Sequence, residues 1–303
     1  MSARTTLNPD GTALPELLGR LAFRPEDAAA FTDCLRAFTD ADWATVERLH
    51  GLLAARVGLL EDRPNPLHGE PIDHPLAPEL LGLAALVAAA PQVQHELVRR
   101  GVTPDVAWRS VADLGQQVAV HRRVHGRFGF GTTGWNAPNF AGGLVWLGRL
   151  QYTLERDEVF GWVLGCHIPE TGSLTPAAVD DSFRQARHLA DTAFADFPIS
   201  RITCESWLLD PSMVARLDPA SNMARFAGRF TRYGTPRDGR RDALYFGFHR
   251  ETRSGQHVDL ASLPRATSLQ RAVLAQLDAG GVVVQRGWAP LPTDGLPTDD
   301  LTG

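Results

Sequence analysis

The sequence contains no lysine, and its 30 basic residues are all arginine, set against 35 acidic ones. Together with its Ala, Gly and Pro content, this bias points to a GC-rich genome and says nothing about chemistry. The formal net charge of −5 gives no reason to expect nucleic-acid binding or a general attraction to membrane surfaces. Cysteine is scarce: Cys34, Cys166 and Cys204 are far apart and match neither a metal-ligand spacing nor a secreted disulfide framework. A reducing cytoplasm is the expected compartment. Residues 1–11 are polar and lack an apolar signal core. The longest apolar run, Leu80 to Pro91, is shorter than the roughly 20 residues a membrane helix needs, and reads as a buried helix. The dinucleotide fingerprint and the P-loop are both missing, and no internal repeat is visible.

A hydrophobic content of 44% with 21% charged residues is that of a folded globular protein, and 303 residues suffice for one large or two ordinary domains. Residues 13 to about 126 read as helical. Asp40-Ala41-Asp42 caps a helix whose Trp43, Val46, Leu49, Leu53 and Val57 recur at helical spacing. Further helices begin after Phe23-Arg24, near Glu79 and near Pro104. Phe128 to Trp135 is a glycine-rich connector.

Strand patterns follow. Gly148 to Arg156 alternates Leu150, Tyr152 and Leu154 against Arg149, Gln151 and Thr153, as in a half-buried strand. Glu155 to Glu158 reads as a hairpin turn, and Gly161 to Ile168 as the next strand. The helix from Pro176 buries Val179, Phe183, Ala186, Ala190, Ala193 and Phe197 on one face. Strands are expected at Ser200–Leu208, at the aromatic Ala243–Arg250 and at Val282–Gln285, with a helix over Leu269–Leu277. The fold class expected is α+β: an all-helical domain over 1–127, a mixed α/β domain over 128–289 and a disordered tail over 290–303.

The stretch from Phe160 to Phe197 carries the most chemical information. A strand runs into the polar loop Pro169-Glu170-Thr171-Gly172-Ser173-Leu174, after which Thr175 caps a helix opening on Pro176. Backbone N–H groups left open at a helix N-terminus suit a phosphate or pyrophosphate, although a plain turn at Gly172 is the alternative.

The motif His167-Ile168-Pro169-Glu170-Thr171-Gly172-Ser173-Leu174-Thr175-Pro176 resembles a family of bacterial GNAT-like acyltransferases. So do Ser206-Trp207-Leu208-Leu209-Asp210-Pro211, Ser221-Asn222 with Arg225-Phe226 and Arg229-Phe230, Gly148 to Tyr152, and Thr267 to Ala272. The resemblance covers nearly the whole chain. It implies a helical N-terminal domain, a GNAT-like C-terminal domain, and N-acyl transfer from acyl-CoA to a small-molecule amine, in keeping with specialised metabolism. Residues 161–168 and 201–208 would be two diverging strands with the donor between them. Ile168, Glu170, Thr171, Gly172, Ser173, Leu174 and Thr175 would hold its pyrophosphate. The basic Gln/Arg-x-x-Gly-x-Gly/Ala signature is absent, so a phosphopantetheine arm on an acyl carrier protein is a second possible donor. A non-catalytic acyl-thioester-binding protein of the same fold is the rival function.

N-acyl transfer needs a base for the amine, a donor for the oxyanion and an acid for the thiolate. His167, at a strand end, is the best base by residue type, with a structural histidine as the alternative. Glu205 either acts as a base, orients His167, or faces solvent. Arg149 and Gln151 can meet the acceptor from a polar strand face, and Trp207 either walls a pocket or belongs to the core. Cys204 reads as a buried thiol rather than a nucleophile, and Tyr233 is a candidate thiolate acid. His121 and His125 have i, i+4 spacing but no third ligand, so no metal is expected.

Overall fold

Helical periodicity governs the first 140 residues. The computed structural model describes residues 2–252 and 258–293, and the chain divides into the units Met1–Trp146 and Leu147–Gly303. The first unit carries α1 (Ala3–Thr6), α2 (Ala13–Arg20), α3 (Pro25–Arg36), α4 (Asp40–Ala54), α5 (Leu80–Arg99), α6 (Pro104–Val111), α7 (Asp113–His125) and α8 (Thr133–Asn139). Pro25 and Pro104 open their helices, where a missing N–H costs nothing. Thr39 and Asp42 cap α4 reciprocally. Helix α5 is buried without a break from Leu80 to Ala90, forming the centre of the unit's core. No helix of the described residues is long and apolar enough to cross a membrane. Helices α1, α2, α4, α5 and α6 line a cavity of about 770 Å³, with Arg20, His50 and Trp108 in its wall.

The second unit holds five strands of a six-stranded sheet of order β1-β2-β3-β4-β6-β5, and β1 straddles the boundary at Leu147. The strands are β1 (Leu144–Leu147), β2 (Leu150–Asp157), β3 (Gly161–His167), β4 (Arg201–Ser206), β5 (Thr231–Asp238) and β6 (Val283–Pro290). Helices α9 (Pro176–Asp191), α10 (Pro211–Val214), α11 (Asn222–Ala227), α12 (Arg240–Phe248) and α13 (Ser268–Ala279) surround it. Neighbours β2–β3, β4–β6 and β5–β6 run antiparallel, while β3 and β4 are parallel and are joined through α9.

Several expectations need correction. Ala243–Arg250 is not a strand: α12 occupies Arg240–Phe248 and buries Ala243, Leu244 and Phe248 on one face. Its aromatic content suits a strand, but contact with α13 and the Trp207 cluster decides the outcome. Strands β1 and β5 were not anticipated, and β6 extends to Pro290, within the stretch expected to be a tail. Residues 294–303 of that tail lie outside the described residues. Strand β2 is buried on both faces over its first five residues rather than half-buried. It runs on to Asp157, so the hairpin turn is Glu158 to Phe160. Arg149 sits in the two-residue turn between β1 and β2, not on the strand.

Side chains in register share a sheet face. One face carries Tyr152, Leu154, Leu164, Cys166, Ile202 and Cys204, all buried. Helix α9 lies against it; its Ser182 Oγ accepts the Leu150 N–H at 3.2 Å. Burying Phe183 and Val179 there contributes about 1.5–3 kcal/mol for each side chain. The opposite face is polar: Gln151, Thr153, Glu155 and Asp157 on β2, His167 on β3, Thr203 and Glu205 on β4, Arg286 on β6 and Tyr233 on β5.

The β2–β3 hairpin curls across this polar face. At its turn Asp157 accepts the Tyr233 hydroxyl at 2.7 Å, the Val159 and Phe160 amides at 2.7 and 3.1 Å, and an ion pair from Arg286. Phe160 packs on Tyr233 and Trp288, with ring centroids 5.1 and 5.6 Å apart. Burial alone would raise the Asp157 pKa. The Tyr233 and backbone hydrogen bonds and the Arg286 charge outweigh it, and hold the carboxyl below its ordinary value. Burial, then Asp157, push the Tyr233 phenol up.

The depressed Asp157 carboxyl contributes stability above its unfolded pKa of 3.8, and that contribution disappears as pH falls through the lower folded value. The raised phenol of Tyr233 contributes below its unfolded pKa of 10.0 and loses that contribution at higher pH. Asp157→Asn should therefore cost about 1–2 kcal/mol at neutral pH, because it removes a charged acceptor from Tyr233 and from an Arg286 that is one-third exposed and keeps Glu205 as a neighbour. The loss should shrink toward pH 3 when denaturation is followed at both pH values.

Candidate active site

The parallel pairing of β3 and β4 stops after two pairs, Leu164↔Ile202 and Gly165↔Thr203. Beyond them no further backbone pair forms, although the Cys166 and Cys204 thiols remain neighbours. Residues 168–175 leave the end of β3 and lead into the 16-residue α9. The Thr175 hydroxyl accepts the Ala178 amide at 3.3 Å and caps only one of the amides at that helix start. Pro176 has no N–H and the Val179 amide is taken by the Thr175 carbonyl, so few amides stay open there, and Asp180 and Asp181 offset the positive end of the helix dipole. Side chains brace the loop from several directions. Arg149 Nη1 donates to the Pro169 carbonyl at 3.0 Å, Asn222 donates to the Ser173 hydroxyl at 2.8 Å, and His249 meets Glu170 at 2.9 Å. Leu174 is buried and anchors the loop, whereas Thr171, Gly172 and Ser173 are exposed. Gly172 adopts φ +55°, with nothing within 4 Å of the position a Cβ would occupy. The loop is thus open on its outer side and lies at the N-terminus of a long helix.

At the end of β3, His167 Nε2 lies 2.8 Å from the Thr153 hydroxyl and 3.5 Å from Glu155 Oε1. The Thr153 hydroxyl also donates to Glu155 Oε1. A carboxylate, a hydroxyl and an imidazole thus form a cluster on the polar face, with the His167 and Glu155 side chains 31% and 39% exposed. The exposure leaves the imidazole within reach of a substrate. Gly165 makes the cluster possible, since a Cβ there would fall 2.5 Å from the Glu155 carboxylate. Neither Thr153 nor Glu155 was expected from sequence; the signal lay in their i, i+2 spacing opposite a strand that carries Gly165 and His167.

The other expected site residues are spread more widely. Glu205 pairs with Arg237 at 2.9 Å on β5, in the cross-sheet row that would contain His167 had the strands stayed paired. Gln151 is buried directly opposite His167. Trp207 lies in an apolar cluster with Met213, Leu244, Val273 and Val284, and Ile168 packs against the same cluster. Cys166 and Cys204 are both buried, and burial, then Cys204, raise the Cys166 thiol well above its ordinary pKa, which makes it a poor nucleophile. The Tyr233 hydroxyl is engaged by Asp157. His121 stacks on His125 with ring centroids 4.2 Å apart, and no cluster of three metal-ligating side chains occurs among the described residues.

Residues 144–289 match the GNAT-like C-terminal domain family, and residues 12–142 match the N-acyltransferase N-terminal domain family. A solved acyltransferase in complex with decanoyl-CoA and teicoplanin is 30% identical, with a TM-score of 0.80 over 93% of this chain and 88% of the other. The chain belongs to the GNAT-like N-acyltransferase family. A further structure, an acyltransferase in complex with decanoyl-CoA, has a TM-score of 0.81 at 28% identity over 93% of this chain and 88% of that one. A third, in complex with CoA and 10C-Teicoplanin, is 30% identical with a TM-score of 0.80, over 94% and 89%. Comparison with curated proteins finds no match. The protein is therefore an acyltransferase of the GNAT-like class, and the similar acyltransferases bind acyl-CoA or CoA.

A Gly165→Ala substitution tests whether Glu155 matters through its contact with His167. The new methyl group meets the mobile end of a side chain rather than backbone. It should displace Glu155 at a cost of about 1 kcal/mol or less in stability, while acyl transfer falls at least tenfold. Thermal melting and steady-state turnover read the two effects separately.

Proposed function

We propose that this acyltransferase moves an acyl group from acyl-CoA to the amine of a small-molecule acceptor, with His167 as the general base. The observation carrying the reading is the His167–Thr153–Glu155 cluster at the point where β3 and β4 part, next to the loop that enters α9. The donor brings an acyl group activated as a thioester. The chain's own residues do the rest. With Thr153 donating to Glu155, its oxygen accepts from His167 Nε2–H, and Nδ1 is then the basic nitrogen. His167 takes the proton from the amine as the amine nitrogen attacks the thioester carbonyl; the C–S bond then breaks, the amide forms, and the proton held by the imidazolium is returned to the departing CoA thiolate. Glu155, 3.5 Å away, stabilises the imidazolium that results.

The loop residues from Ile168 to Thr175 are assigned to the donor's pyrophosphate, with Arg149 holding the loop through Pro169. Glu205 is assigned to orient the acceptor's ammonium group from the neighbouring strand, and Gln151 to line the floor beneath it. Trp207 supports the wall of the site from the core. Work on the donor falls to the C-terminal unit.

Teicoplanin, the compound bound beside decanoyl-CoA in a similar acyltransferase, is the first acceptor to assay, followed by simpler amines. A thiol-release assay with decanoyl-CoA should show acceptor-dependent turnover and an amide product by mass spectrometry. Release of thiol with no acylated product would defeat the reading. Turnover only with a carrier-linked donor would replace acyl-CoA with a phosphopantetheine arm.

His167→Ala should lower turnover by about 10²–10⁴-fold, with CoA affinity within about twofold of the parent. Equal loss of both would move His167 from proton transfer to structure. Gly172→Val places a β-branched residue at φ +55°, which costs about 1–3 kcal/mol of strain and reshapes the loop. Calorimetric CoA affinity should fall clearly in this variant; unchanged affinity would remove the loop from the site.

A further inference from the structure

The helical unit holds a cavity lined by none of the residues assigned to acyl transfer. It measures about 770 Å³, and every residue in its wall lies between Thr5 and Trp108. Protein interiors leave few voids larger than a water molecule, and this volume falls in the range of small-molecule sites. Sequence choices keep it open. Gly51 on α4 and Pro91 on α5 stand in the wall, each inside a helix that it disfavours. A Cβ at Gly51 would meet nothing within 4 Å, so no packing contact requires glycine there. Ala13, Ala54 and Ala88 add short side chains from α2, α4 and α5.

The chemistry of the wall narrows the occupant. Leu17, the alanines, Pro91 and Trp108 make it mainly apolar. Its two charged groups neutralise each other: Arg20 meets Glu16 at 2.9 Å, with the side chains 49% and 69% exposed. The same guanidinium lies 5.1 Å from the centre of the Trp108 ring, which steadies the indole. A ligand therefore meets no uncompensated charge. The Thr5, Thr6 and Gln92 side chains are hydrogen-bonded to Ser2 and to the Ala54 carbonyl. His50, half-buried, has no hydrogen-bond partner among the described residues. Burial lowers its pKa against the pull of Glu47, so the ring is neutral at pH 7 and presents one N–H and one lone pair. Trp108, Pro91 and the bare backbone at Gly51 are flat surfaces, which suit a flat ring better than a coiling alkyl chain.

We propose that this cavity binds an uncharged hydroxylated aromatic molecule, its rings against Trp108 and its hydroxyl on His50. The inference does not depend on the donor or acceptor assignment.

Fluorescence anisotropy of hydroxypyrene, titrated with the full chain at neutral pH, tests it. Binding should be saturable. Pyrene, pyrene carboxylate and pyrenyl methylammonium should each bind about tenfold more weakly, the first for want of the hydroxyl and the others because their charge is left unpaired. His50→Phe should weaken hydroxypyrene about tenfold and leave pyrene within twofold. Gly51→Leu places a side chain in open space and improves helix propensity; it should abolish binding of both with no fall in Tm. Ala13→Leu, on the exposed side of α2, is a second blocking variant and is read instead if Gly51→Leu melts below the parent. Absence of saturable hydroxypyrene binding would overturn the proposal, as would unchanged binding in the blocking variant or tighter binding of either charged analogue. Displacement of hydroxypyrene by decanol at equal affinity would overturn the aromatic class of the ligand.

Discussion

One buried carboxylate holds the polar face of the sheet in its working shape. Asp157 accepts hydrogen bonds at both oxygens, from the amides of its own turn on one side and from Tyr233 and Arg286 on the other. Asp157 lies on the second strand of the sheet order, whereas Arg286 and Tyr233 lie on the fifth and sixth. The interaction bends the β2–β3 hairpin over β6 and β5, and that bend fixes where the far end of the hairpin points. Gln151, Thr153 and His167 are at that far end. An ion pair exposed to solvent would be worth little. Here the Asp157 carboxylate is buried and accepts backbone and hydroxyl hydrogen bonds as well, so its geometry is held by several partners.

The second constraint is the short pairing of β3 with β4. Parallel neighbours that stay paired would leave no room for a ligand between them. Here pairing ends at Gly165 and Thr203, and chemistry gathers at the gap: the imidazole on one strand, the carboxylate of Glu205 on the other, and the start of α9 above.

Much of this arrangement is legible in the sequence because local rules and the fold agree. The loop 169–175, the Thr175 cap and the spacing Val179, Phe183, Ala186 announce themselves without tertiary information. The helical half is equally plain from α4 and α5. Strand β5 is not legible, since Thr231–Asp238 has almost every residue exposed, includes Gly234 and Pro236, and carries a register irregularity. Only pairing with β6 makes it a strand. Helix α12 misleads in the other direction, through Tyr245, Phe246 and Phe248. Glu155 is the most instructive case. In sequence it looks like the first charge of a hairpin turn. Its role appears only when cross-strand register and the absent side chain of Gly165 bring it to His167.

The position of β6 in the sheet has a consequence for how the protein is made. It is the last of the six strands to be synthesised, yet it lies between β4 and β5. Until it leaves the ribosome, β4 has an open edge and β5 has no neighbour at all on its β6 side. The contact between Asp157 and Arg286 spans 129 residues of chain. Closing so distant a contact is slow compared with forming local helices. The helical unit can therefore be complete while the catalytic sheet is still two separate pieces with unpaired edges. Such edges invite pairing with other chains, so the interval before β6 arrives is the period in which a nascent chain most needs protection from its neighbours.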